Sequence, residues 1–171
     1  MKTLLIYSSL TGNTKKVADA VREVLPENTD FYKIDDSYNV NDYDFITVGF
    51  WIDKGNADKK TLEVLKTIKN KKVAYFFTLG AYPNSEHAQK CTETINSILI
   101  SGGNTLLGHF LCQGKIDSRM TEMFKKFPEG HPHAMTEERK KRHAEAAKHP
   151  DESDLNNAKI FFAEIIMKIL K

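Results

Sequence analysis

Apolar residues fall in two rhythms along this chain. Thr3 to Tyr7 is a short, mainly apolar run of the kind that forms a buried strand. From Val17 onward apolar positions recur at helical spacing, with Val17, Val21 and Leu25 on one face and Ala18 and Val24 widening it. The pair of rhythms then repeats. Strands are predicted over Thr29 to Ile34, Asp44 to Phe50, Lys72 to Leu79 and Thr105 to Cys112, and helices over Ala57 to Lys69, Ser85 to Ile100 and Ser153 to Leu170. In the fourth strand Val73, Tyr75 and Phe77 alternate with Ala74, Phe76 and Thr78, so both of its faces are expected to be buried. The last helix turns Leu155, Ala158, Phe162, Ile165, Ile166 and Ile169 inward. Strands alternating with helices in this way predict a doubly wound α/β fold, a parallel sheet covered by helices on both faces.

One interval breaks the rhythm. Residues 113–150, between the fifth strand and the last helix, contain Pro128, Pro132 and Pro150 and four of the six histidines, too much for a short connection. Two helical pieces are predicted inside it. Ser118 to Phe127 carries Met120, Met123, Phe124 and Phe127 and is expected to pack on the domain edge. Thr136 to Ala147 is almost wholly charged and is expected to lie in solvent, with Glu137 and Glu138 at the positive end of its dipole. The chain of 171 residues is expected to be one domain with this insert inside it.

Composition narrows the classes. The formal charge is +2, and the basic excess sits in the insert, where Lys115 to Lys148 hold nine Lys/Arg against six Asp/Glu. The basic run within it, Arg139 to His143, is short and has no aromatic residues interleaved, which argues against nucleic acid as a partner. No stretch reaches the roughly eighteen apolar residues of a membrane span, and no basic region followed by an apolar segment opens the chain, so a cytoplasmic protein without membrane attachment is expected. Cys91 and Cys112 form no CxxC and are expected to be packed thiols, neither a disulfide nor a zinc site. His131, His133 and His143 have no supporting carboxylate placed by spacing, so no metal site is expected.

The candidate chemistry lies in Ser8 to Lys16, which reads SSLTGNTKK between the first strand and the first helix. The first amides of a helix lack internal partners and its dipole favours an anion, so a phosphate here would be held by backbone N–H groups. Ser9, Thr11, Asn13 and Thr14 add side-chain donors, and Gly12, lacking Cβ, lets the backbone come close. An ordinary N-cap explains any one of these residues, but five hydroxyl and amide side chains around one glycine, counting Ser8 with them, exceed what a cap needs. The Walker and dinucleotide-binding patterns are absent, since each needs glycines that this loop lacks.

The stretch T-G-N-T at Thr11 to Thr14, with Ser9 two residues before it, resembles the phosphate-binding loop of the flavodoxin family, although Leu10 is less usual there. GFWIDKG, TLGAYP, LCQGKID and the segment from His131 to Leu155 resemble a branch of short flavodoxin-like proteins of anaerobic bacteria. The resemblance implies the strand order 2-1-3-4-5 and a site outside the carboxyl ends of the strands. It implies FMN as the cofactor, with the phosphate on Ser8, Ser9, Leu10, Thr11, Gly12, Asn13 and Thr14. Phe50, Trp51, Ile52 and Gly55 are then expected along one side of the ring. Trp51 would stack just past the end of the third strand, and Gly55 would let a peptide turn when the flavin gains a proton at N5. Thr78, Leu79, Gly80, Ala81 and Tyr82 are expected on the other face, and Gln113 at the ribityl chain or substrate.

The implied function is that of an FMN-binding redox protein carrying electrons to a partner reductase or acceptor. The alternative is an FMN-dependent NAD(P)H oxidoreductase acting on a small quinone-like or tetrapyrrole acceptor, some members of the branch being associated with reductases of tetrapyrroles such as bilirubin. A carrier needs an exposed ring edge and a reductase needs a pocket over it, which the insert is long enough to form. No protein nucleophile is needed in either case, because the cofactor carries the chemistry. Family flavodoxins are generally acidic, and this chain departs from that balance. A signalling receiver domain shares the strand order but needs acidic residues after the first strand, where Ser8 and Ser9 stand.

Overall fold

A computed structural model describes residues 1–170. Its central sheet is built from β1 (Thr3–Tyr7), β2 (Asp30–Lys33), β3 (Phe45–Asp53), β5 (Lys72–Leu79) and β6 (Thr105–Gln113), in the order β2-β1-β3-β5-β6. All four pairings along it are parallel. A two-residue strand, β4 (Asn56–Ala57), folds back antiparallel onto β3. Leaving β4 aside, this is the expected doubly wound order 2-1-3-4-5. The helices are α1 (Asn13–Arg22), α2 (Lys59–Thr67), α3 (Glu86–Ser101), α4 (Ser118–Lys125), α5 (Glu137–Ala146) and α6 (Glu152–Ile169).

Side chains one apart on a strand point to opposite faces, so each central strand feeds two cores. Leu4, Ile6, Ile46, Val48, Phe50, Val73, Tyr75 and Phe77 meet Leu65, Cys91, Ile95 and Leu99 on the side of α2 and α3. Leu5, Tyr7, Phe45, Ala74 and Phe76 meet Val17, Val21, Phe162 and Ile165 on the side of α1 and α6. Phe76 and Phe162 pack edge to face with ring centroids 5.8 Å apart. Room for Phe76 comes from Gly49, where a Cβ would stand 2.2 Å from Phe76 Cζ.

Both cysteines are free and buried, as expected of packed thiols, and burial is the main cause that raises the pKa of each. No helix among the described residues is long and apolar enough to cross a membrane.

Two boundaries differ from expectation, with consequences for the site. β3 continues to Asp53, so Trp51 lies within the strand, in register with Thr78 of β5, and not past its end. Ala57, assigned to a helix, belongs to β4, and α2 starts later, with the Asp58 carboxylate accepting from Thr61 N. The β3–β4 hairpin turns through Lys54 (φ 49°) and Gly55 (φ 84°). Two positive φ values in a two-residue hairpin loop are the signature of a type I′ turn, which matches strand twist. Gly55 therefore owes its conformation to the hairpin.

Candidate functional site

The loops at the carboxyl edge of the sheet surround a cavity of about 500 Å³. At one end lies the turn into α1. Ser8 N donates to Gly49 O at 2.8 Å, fixing the exit of β1. Gly12 follows with φ 95°, as the N-cap of α1, and being a glycine makes no side-chain cap bond of its own. Its αL geometry costs a glycine nothing and would strain any other residue. Ser9 Oγ accepts from Gly12 N and Lys15 N, both at 3.2 Å, and so shapes the loop from inside. The first-turn amides not held by Ser9 are left for a ligand or water.

Two of the expected phosphate donors are spent within the protein. Asn13 Nδ2 donates to Thr11 Oγ1 at 3.1 Å and to Lys115 O at 2.9 Å, bracing the loop against the segment after β6. Thr14 Oγ1 pairs with Thr78 Oγ1 at 2.9 Å, tying α1 to β5, and both residues are buried. Thr11, which is exposed and lines the cavity, keeps a hydroxyl hydrogen to donate. The loop thus fits an anion mainly through backbone amides, without a cation in the T-G-N-T stretch itself.

Most of the other expected residues converge here. Leu10, Thr11, Asn13 and Thr14 form one end of the cavity, Trp51 and Ile52 one side, and Thr78, Leu79, Gly80, Ala81 and Tyr82 another. Ser8, Ser9 and Gly12 open instead into a neighbouring cavity of about 470 Å³, which shares Leu10 and Trp51 with the first. Gly55 lines a third of about 440 Å³, beside His87 and Cys91.

Phe50 and Gln113 do not reach the site. Phe50 is 0 % exposed and stacks on Tyr75 and Phe77 in the α2–α3 core, because it shares a strand face with Ile46 and Val48. Gln113 is the last residue of β6, 3 % exposed, and its Nε2 donates to Gly80 O at 3.3 Å, which holds the loop after β5. A carboxamide used in that way is a brace, not a ligand to ribityl or substrate.

The insert, long enough to form a pocket over the ring, supplies a wall from side chains that the sequence reading did not name as site residues. Met120 and Phe124 of α4, and Glu138, Arg142 and His143 of α5, line the same cavity. α5 therefore does not lie in solvent along its whole length, and Ala146 at its end is fully buried. Arg139 donates to Pro132 O and Ala134 O, both at 2.6 Å, and lies over the Phe124 ring. Burial, with Arg142 and Arg139 nearby, holds His143 below the usual histidine range. The faint signal for this wall was the spacing of Glu138, Arg142 and Ala146, one turn apart on one face, in a helix with no apolar periodicity. His131 and His133 stack with Phe127 and Phe124 and gather no carboxylates. Among the described residues one His/Asp cluster forms, His149 with Asp151 and Asp154, and it is a helix cap whose carboxylates accept from backbone and imidazole.

The family model for the flavodoxin domain matches residues 4–163. This chain belongs to the flavodoxin family. The flavodoxin-like domain-containing protein BilS of Clostridioides difficile (strain CD3) is 36 % identical over 176 residues, covering 98 % of each chain. Oxidised flavodoxin 1 from Bacillus cereus superposes with a TM-score of 0.64 at 17 % identity over 98 % of each chain. A flavoprotein from Lactobacillus acidophilus, solved in complex with FMN, gives 0.50 at 19 % identity, covering 73 % of this chain and 99 % of that one. The receiver-domain alternative gives way to this membership.

Proposed function

We propose that this flavodoxin-like chain binds FMN and carries electrons to a partner reductase or other acceptor. The observation that carries the reading is the first turn of α1, whose N-cap is a glycine and whose Asn13 and Thr14 stand at one end of a cavity walled by Trp51 and Tyr82. Backbone amides of Thr11, Asn13 and Thr14 and the Thr11 hydroxyl would hold the phosphate. Asn13 and Thr14 keep that loop in place, through Lys115 O and Thr78. Trp51 and Tyr82 would flank the ring, and the backbone of Gly80 and Ala81 would face its polar edge. When bound, FMN supplies the acceptance and release of one or two electrons.

A second reading, an FMN-dependent NAD(P)H oxidoreductase acting on a small quinone-like or tetrapyrrole acceptor, is favoured by one observation: residues of the insert form one wall of the cavity, and a reductase needs such a pocket beside the ring. Titrating FMN into the purified protein tests the shared part. Quenching of flavin fluorescence at one equivalent is expected, and a protein that leaves the fluorescence unchanged sinks both readings. Anaerobic mixing of the loaded protein with NADH or NADPH then separates them, since bleaching without a partner protein identifies the oxidoreductase.

A further inference from the structure

Arg142 and His143 stand on α5, outside the three loops that define the family's site, yet both line its cavity. Each brings one buried nitrogen without a hydrogen-bond partner, Arg142 Nε and His143 Nε2. Buried polar atoms are paired in nearly all native proteins, so two such atoms on adjacent residues of one cavity wall point to something that fills the cavity. Neither side chain is on a loose flap. His143 Nδ1 lies 3.0 Å from Thr121 Oγ1 of α4, which orients the ring and leaves Nε2 as the free atom. α5 is capped at its start by the Thr136 hydroxyl, pinned to residues 132 and 134 by Arg139, and buried at its end through Ala146.

We propose that Arg142, donating from Nε, and His143, through Nε2, meet the polar edge of the bound flavin's ring, so that α5 is a fourth wall of that site. The proposal rests on the FMN reading above. The ring is the partner because His143 packs beside Phe124, with ring centroids 6.2 Å apart, in the cavity that Trp51 and Tyr82 also line; Thr11, Asn13 and Thr14 open into that cavity too, so riboflavin, which lacks the phosphate, is the discriminating ligand. A separate acceptor is disfavoured by size: about 500 Å³ suits a single compact ligand. The guanidinium also places positive charge beside a group that becomes more negative on reduction, which eases electron uptake.

FMN and riboflavin, which lacks the phosphate, are titrated into wild type, R142Q and H143F, with K140Q on the outer face of α5 as the control. R142Q is expected to bind both flavins about tenfold more weakly, as for a lost hydrogen bond from a charged donor. H143F should follow in the same direction, K140Q should match wild type, and the midpoint potential of flavin bound to R142Q should become more negative. Should R142Q fail to fold, R142K, which keeps the charge but lacks Nε, reads the same contact. Loss of FMN affinity alone, with riboflavin unaffected, would place Arg142 on the phosphate and overturn the proposal. Unchanged affinities and potential in the Arg142 variants overturn it as well, while leaving FMN binding by wild type intact. A wild type that binds neither flavin defeats the underlying reading instead.

Discussion

The Thr14–Thr78 pair offers a sharp test of how the candidate phosphate loop is held. The two residues are 1 % and 3 % exposed, and their hydroxyl oxygens are 2.9 Å apart. Valine keeps the shape of threonine and deletes the hydroxyl. T14V or T78V alone therefore leaves one buried hydroxyl without its partner, at a cost of about 1–3 kcal/mol, whereas removing both hydroxyls is close to neutral. The double variant should be markedly less destabilised than the sum of the singles, with a coupling of about 1 kcal/mol or more. For a chain of this size each kcal/mol corresponds to about 2–4 °C in Tm. The four proteins are unfolded in urea without flavin, because a bound ligand would add its own stabilisation by mass action. Equal m-values would confirm that the variants share one native and one denatured state. Additive losses, within about 0.5 kcal/mol, would refute a closed hydroxyl pair and the claim that α1 is tied to β5 at this point.

Gly49→Ala probes the packing beneath the same loops. Its Cβ would lie 2.2 Å from Phe76 Cζ and 2.4 Å from Cε2, and that ring is wedged against Phe162. The expected cost is about 3 kcal/mol, the upper end for overpacking, and a thermal melt within two or so degrees of wild type would contradict it. The His149–Asp154 contact gives stability a pH dependence. The hydrogen bond that the imidazolium donates to Asp154 raises the histidine pKa above its ordinary value, while partial burial acts against the shift. With the folded value above the unfolded one, about 6.5, the stabilisation is complete below that pH and is lost as pH rises through the raised value. His149→Gln should remove that part of the decline, and parallel stability profiles for variant and wild type would show that the contact contributes nothing.

The parallel sheet was legible because strands buried on both faces announce themselves, whereas their order came from the family resemblance. Leu4 and Ile6 against Leu5 and Tyr7, or Tyr75 and Phe77 against Ala74 and Phe76, divide between two cores as alternation requires. The misassigned Phe50 obeys the same rule. It lies two residues from Val48, on the α2–α3 face, and the period of two already pointed it away from the site. β4 escaped notice because Asn56 and Ala57 are too short to show any period. Its hairpin was nonetheless written in Lys54-Gly55 between flanking polar residues, a pair able to hold positive φ.

Side-chain roles in the loop were harder to read, since composition says which groups can donate but not what they donate to. Asn13 and Thr14 are the right residue types for a phosphate and are occupied elsewhere, by Lys115 O and Thr78. Lys115 O stands 102 residues away in sequence, a partner that no local pattern discloses. The same holds for Gln113, turned to Gly80 O, and for α5, whose charges looked solvated because nothing in a charged helix records what it faces. Loop chemistry local to one turn was visible in the sequence, whereas chemistry assembled across the sheet edge was not. That boundary also separates the two readings of function. The T-G-N-T loop serves a carrier and a reductase equally, and the wall that the insert builds along the cavity is where the two diverge.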